Sequence, residues 1–191
     1  LVYKAEIVRE DGGTVKVFFY DKEMSPLPEA KLATFNKAAM ATVLPDNPLG
    51  RAARDELRRH GVDVGAVSFA TGRMGLYFLT PGAVTRPSEI LYDRASSAFA
   101  ETVDAGLCIA ALEEADYLHV SGISPAVSAK AGAASLAAVT AAVERGVAVS
   151  FDGNYRSSLW AARGETGAPI LRQLLSMATI AFVDERDIAL V

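Results

Sequence analysis

Three short apolar runs, at residues 117–121, 147–151 and 180–183, alternate with stretches of helical character at 106–114, 128–146 and 171–178. This order constrains the fold more than any other feature of the chain. Short apolar strands joined by helical crossovers specify a parallel sheet covered by helices. The Ala-rich stretch 128–146 reads as one tightly packed helix, closed by Arg145-Gly146. Upstream, 38–43 reads as a buried strand. The cluster Pro45-Asp46-Asn47-Pro48-Leu49-Gly50 is a turn leading into a helix over 51–60, closed by Gly61. Residues 65–71, 74–80 and 89–93 have strand character and build a polar, β-rich flap. Residues 2–8 and 14–20 read as a hairpin around Asp11-Gly12-Gly13, and 24–36 as irregular.

Composition narrows the function classes. The chain has 191 residues, of which 51% are hydrophobic, enough for one substantial core. Its net charge of −4 argues against a nucleic-acid-binding face. No apolar run reaches the roughly 18–20 residues that span a bilayer, and the start has no signal-peptide pattern. The single cysteine, Cys108, permits no intrachain disulfide, so a cytoplasmic location is expected. With only His60, His119 and Cys108, all far apart, neither a His/Cys metal centre nor a His-dependent hydrolase is expected. His119 reads as a core histidine within its strand, and His60 as a solvated residue at a helix end.

Ligands of parallel α/β sheets sit at the carboxyl ends of the strands. After the run 147–151 comes Asp152-Gly153-Asn154-Tyr155-Arg156. Asp152 suits a helix cap or a ligand contact equally. Arg156 is a candidate for bidentate binding of a carboxylate or phosphate. After the run 117–121 comes Gly122-Ile123-Ser124-Pro125, where small residues allow close backbone approach and Ser124 is a candidate cap. In the flap, alternation puts Tyr77 with Leu79 on one face, and Tyr92 with Arg94 on one face. Two tyrosines and an arginine there suit a polyhydroxylated anion, or else an ordinary amphipathic hairpin.

Taken in order, Leu44 to Gly50, Gly75-Leu76-Tyr77-Phe78-Leu79, Tyr92-Asp93-Arg94-Ala95-Ser96-Ser97-Ala98, His119 to Ser124, and Asp152-Gly153-Asn154-Tyr155-Arg156 with Leu159-Trp160 resemble the segments of a PfkB (ribokinase-type) carbohydrate kinase, closest to the 2-keto-3-deoxygluconate kinases. The resemblance covers residues 38–191. It implies a ribokinase-like three-layer α/β/α fold with a parallel-rich sheet and a small β lid. Residues 37–64 and 101–191 would form the core, 65–100 the lid, and 1–36 stay unassigned. It implies transfer of the γ-phosphoryl of ATP, with Mg2+, to 2-keto-3-deoxygluconate. The other readings are a fructokinase- or ribokinase-type member of the family and a non-catalytic sugar-acid-binding module.

By the same resemblance, Tyr77, Tyr92, Arg94 and Arg156 would contact the sugar acid. Asn154 and Asp184 would lie toward ATP, and Asp187 toward the metal. Asp184 and Asp187 stand where the family usually has Asn and Glu. The catalytic Asp of the family falls beyond residue 191, so the chain alone is expected to be inactive and to be a piece of a longer kinase. A homo-oligomer is expected from exposed lid edges.

Overall fold

The computed structural model describes residues 37–190, apart from the side chains of Ile188 and Leu190, together with the backbone of three strands nearer the start. Those strands are β1 (Lys4–Arg9), β2 (Val15–Tyr20) and β3 (Ala33–Phe35), an antiparallel sheet in sequence order. Arg9 faces Val15 across the expected hairpin, whose turn residues lie outside the described set. Strand β3 falls in the stretch expected to be irregular; its pairing with β2, not its composition, defines it.

The next unit is a parallel pair, β4 (Thr42–Pro45) and β5 (Val67–Ala70), joined through α1 (Pro48–Arg59). Strand β4 lies later than the expected 38–43, because its register runs Thr42 to Pro45 against Val67 to Ala70. Helix α1 begins three residues earlier than expected. Asn47 caps it by accepting from the Gly50 amide at 3.1 Å, and Pro48 supplies a preset φ in the first turn. His60 is its exposed C-cap, 3.0 Å from Glu56, as its sequence position suggested. Strand β5 was expected in the flap, but its parallel pairing with β4 joins it to the core layer.

The flap itself is one antiparallel hairpin, β6 (Leu76–Thr80) and β7 (Glu89–Asp93), in the register Tyr77↔Tyr92 and Leu79↔Ile90. It returns through Ser97, which is 2% exposed and caps the short helix α2 (Ala98–Thr102). Helix α3 (Gly106–Ala111) tightens into a 3-10 turn at Leu112–Glu114, where one continuous helix was expected.

The third unit carries the main core. Strands β8 (Tyr117–Ser121), β9 (Ala148–Asp152) and β10 (Ile180–Phe182) are all parallel, in the order β10-β9-β8. Helices α4 (Ile123–Val127), α5 (Ala129–Glu144), α6 (Ser157–Ala162) and α7 (Ala168–Met177) form the crossovers, and α8 (Glu185–Leu190) follows β10. Ser128, not Ser124, caps α5, with its Oγ 3.1 Å from the Ala131 amide. Ser124 lies inside α4, a helix too short to leave a periodic signature.

The core gathers Val149 and Phe151 of β9 with Val139 and Ala142 of α5, Trp160 of α6, and Leu171 and Leu174 of α7. Alanines along α5 explain this packing: small side chains bring the helix close to the sheet and favour the helix intrinsically. Burying each large side chain contributes about 1.5–3 kcal/mol. His119 is not in this core. It projects from β8 on the opposite, exposed face, with Nδ1 3.1 Å from Ser150 Oγ, because alternation gives the buried face to Leu118 and Val120. No helix among the described residues is long and apolar enough to cross a membrane.

Candidate functional site

The loop 153–156 after β9 is the hub of the site. It begins with two glycines meeting across adjacent strand ends. The Gly122 amide donates to Asp152 O at 2.7 Å, and a Cβ on Gly122 would lie 2.0 Å from Gly153 O. The small residues after β8 therefore do permit the close approach expected of them. A Cβ on Gly153 would in turn lie 2.4 Å from the Asp187 carboxylate. The loop is thus pressed between the end of β8 and the start of α8.

Asn154 takes a left-handed backbone, φ +42°, which a short amide side chain tolerates. Its Nδ2 donates to Ser121 Oγ at 2.8 Å, and the Ser121 hydroxyl sits 3.3 Å from Asp152 Oδ2. Asp152 therefore joins a polar chain at the carboxyl ends of β8 and β9 and caps no helix. The residue at the N-cap of α6 is Arg156, which makes no side-chain cap bond. Its guanidinium is left for other partners: Nη1 donates to Tyr155 O at 2.9 Å and Nε donates to the Tyr92 hydroxyl at 3.0 Å.

That last bond joins the lid to the core. Tyr92 and Tyr77 are register partners on one face of the hairpin. Arg94 lies one residue beyond β7, and its guanidinium sits 5.2 Å from the centroid of the Tyr92 ring. Tyr92 thus holds one arginine by its hydroxyl and a second by its ring face. Among the described residues, neither Arg94 nor Arg156 has an acidic partner within ion-pair distance. Two guanidinium groups around one tyrosine, with no carboxylate to neutralise them, make a local centre for an anion on a chain that is acidic overall.

Asp184 and Asp187 form a reciprocal cap at the start of α8. Asp184 Oδ1 accepts from the Arg186 amide at 2.8 Å and the Asp187 amide at 2.9 Å; Asp187 Oδ2 accepts from the Asp184 amide at 3.0 Å. The Asp187 amide, with the Arg186 guanidinium, holds the Asp184 carboxyl below the usual carboxylate range. Asp187 Oδ1 also accepts from the Tyr155 amide at 3.1 Å, tying α8 to the hub loop. Both Asp187 oxygens therefore already hold backbone amides. No group of three or more His, Cys, Asp or Glu able to hold a metal occurs among the described residues. Cys108 lies on α3, and burial pushes its thiol up, away from reactivity.

The structure brings both Arg94 and Arg156 into contact with Tyr92. It sets Tyr77 beside Tyr92 and links Asn154 and Asp187 to the same loop. Sequence reasoning missed Arg73, whose guanidinium donates to Ala95 O at 2.7 Å and to Asp93 O at 3.3 Å, and pairs with the Asp93 carboxylate. Nothing local in Thr71-Gly72-Arg73-Met74-Gly75 signals this; the partners are 20 and 22 residues away.

The chain as a whole is similar to known proteins. A family profile described as pfkB family carbohydrate kinase matches residues 30–191. The chain is 34% identical over 151 residues to a 2-dehydro-3-deoxygalactonokinase of Haloferax volcanii, covering 79% of this chain and 47% of that relative. It is 33% identical over 152 residues to fructokinase-1 of Oryza sativa, covering 79% of this chain and 46% of the relative. A solved structure of 2-dehydro-3-deoxygluconokinase from Thermotoga maritima superposes with a TM-score of 0.72 at 35% identity, covering 80% of this chain and 47% of that one. The chain spans about half the length of the curated relatives it matches. The parallel strands with their helical crossovers are those of the ribokinase-like α/β fold. With a family model over residues 30–191 and a relative 34% identical over 151 residues, the chain belongs to the pfkB family of carbohydrate kinases.

Proposed function

We propose that the protein containing this chain is an ATP-dependent kinase of a 2-keto-3-deoxy sugar acid, with 2-keto-3-deoxygluconate as acceptor and 2-keto-3-deoxy-6-phosphogluconate as product. One observation carries the reading: Tyr92 holds Arg156 at 3.0 Å and lies under Arg94, and no carboxylate among the described residues neutralises that pair. A carboxylate substrate supplies the missing charge. Tyr77 and Tyr92, on one face of the hairpin, offer hydroxyls to the sugar. ATP supplies the γ-phosphoryl group. Asn154 is the residue of the hub loop assigned toward its phosphates, and Asp184, at the start of α8, is assigned toward the nucleotide.

In phosphoryl transfer little covalent work falls to the protein, so positioning and charge stabilisation dominate. The bond from Arg156 to Tyr92 couples acid binding to closure of the hairpin, and closure would keep water from the reacting phosphoryl group. Mg2+ is expected with ATP, with Asp187 as the candidate toward it. Because the Asp187 oxygens hold the Tyr155 and Asp184 amides, no step is assigned to the metal. The protein is proposed to act in the cytoplasm as a homo-oligomer. The apolar residues Phe78 and Leu91 on the back of the hairpin, 55% and 65% exposed, support a contact between copies.

The rice fructokinase relative supports a second reading, phosphorylation of a neutral hexose. A coupled ADP assay on the full-length protein separates the two. ATP-Mg is supplied with 2-keto-3-deoxygluconate, 2-keto-3-deoxygalactonate or fructose. Turnover of an acid, lost in Arg156→Ala, is the expected result. Preference for fructose transfers the reading to the fructokinases, and saturable acid binding without turnover makes the protein a sugar-acid-binding module.

A further inference from the structure

We infer that Arg73 is the positioning residue that aims Arg94 at the acid, an inference that rests on the proposed function. Arg73 lies just before the hairpin, and its side chain grips the strand leaving it. One guanidinium nitrogen donates to Ala95 O at 2.7 Å; the other donates to Asp93 O at 3.3 Å and pairs with the Asp93 carboxylate. These acceptors bracket residue 94 on both sides. The peptide group entering Arg94 and the one leaving Ala95 are therefore held by a single planar fork, a geometry that a guanidinium provides and an ammonium does not.

The backbone of Arg73 completes the clamp. Its carbonyl accepts from the Ala98 amide at 2.9 Å, and it bridges in parallel to Ser97. The intervening Ser96 is held at φ +51°, a backbone that needs support from its surroundings. A Cβ on Gly75 would lie 3.7 Å from Arg94 Cγ and 3.4 Å from Ser97, so the incoming chain also walls the Arg94 stem.

Arg73 also pairs with the Asp93 carboxylate, so the acidic neighbour of Arg94 in sequence is already engaged. Arg94 is left over the Tyr92 ring with its charge available. Apart from the Arg156–Tyr92 bond, the hairpin is weakly held: Leu76 to Leu79 and Ile90 to Leu91 are exposed, and two strands alone are marginally stable.

The test uses the full-length protein with Arg73→Met, Arg73→Lys, Arg94→Met and the Arg73→Met/Arg94→Met pair. Hydrogen exchange of residues 93–97 is compared with that of 129–144. In Arg73→Met, exchange at 93–97 should rise about tenfold while α5 stays unchanged. KM for the acid should rise about tenfold with kcat and the KM for ATP held, the pattern of a lost binding interaction. Arg73→Lys should fall between, and the double variant should match Arg94→Met. Unchanged exchange at 93–97, or additive losses in the double variant, overturns the inference. A wild-type protein inactive on every sugar acid overturns the proposed function instead, and the exchange comparison still judges the clamp.

Discussion

Nε of Arg156 donates to the hydroxyl of Tyr92 at 3.0 Å across a sequence separation of 64 residues. The bond joins the loop at the carboxyl end of β9 to the lid. Removing only the hydroxyl, in Tyr92→Phe, keeps the ring under Arg94 but frees Arg156. KM for the sugar acid should rise about five- to tenfold, the net worth of one ordinary hydrogen bond of about 1 kcal/mol. Steady-state kinetics of the full-length protein check this; an unchanged KM means the bond has no part in acid binding.

Asn154 combines a left-handed backbone with a hydrogen bond to Ser121. Asn154→Ala should lose both the tolerance and the bond and destabilise the chain by about 1–3 kcal/mol. Asn154→Gly restores the backbone freedom alone and should fall between. Urea unfolding of the three proteins gives the order; equal stability of the Ala and Gly variants contradicts it.

Gly153 marks the crowded side of the hub. An added Cβ meets the Asp187 carboxylate, which holds the Tyr155 and Asp184 amides. Gly153→Ala should displace that carboxylate and cost about 1–3 kcal/mol as overpacking. An NMR readout should show the Tyr155 and Asp184 amide signals moving together, whereas a change confined to residue 153 argues against the coupling.

Trp160 is 1% exposed, with the Gly167 backbone against its ring, yet its Nε1 has no hydrogen-bond partner among the described residues. Removing the ring in Trp160→Ala should cost about 3–5 kcal/mol. Trp160→Phe removes the unpaired donor and keeps most of the apolar volume, so its cost should be well below that of the Ala variant. Thermal unfolding of both decides the point; equal losses would show that the indole volume alone matters.

Asp63 sits 2.9 Å from Lys37 Nζ and accepts from the Gly65 amide at 2.8 Å. The lysine hydrogen bond first, and the amide second, hold its carboxyl below the ordinary range. A depressed folded pKa contributes stability above the unfolded value of about 3.9 and loses it as pH falls through the folded value. The carboxyl carbon shift of Asp63 should therefore titrate below the usual value. In Lys37→Met the midpoint should move upward; a fixed midpoint rules the lysine out as the cause.

The β-α-β-α-β order from residue 106 was legible in the chain itself. Buried strands and crossover helices must carry apolar side chains at their own spacing, and Val149, Phe151 and the alanines of α5 do so. The polar run from Asp152 to Arg156 was legible for the same reason, since it interrupts an apolar strand at its carboxyl end. Five- and six-residue helices such as α4 and α6 were not, because so few turns leave no period to read. His119 looked buried from its neighbours, and only the packing of helices on one face of β8 showed it on the other. The pairing of Arg156 with Tyr92, and the grip of Arg73 on Asp93 and Ala95, could be decided only by tertiary structure. Local spacing carries the physics of burial and periodicity. It carries no information about which distant side chains folding brings within hydrogen-bond reach.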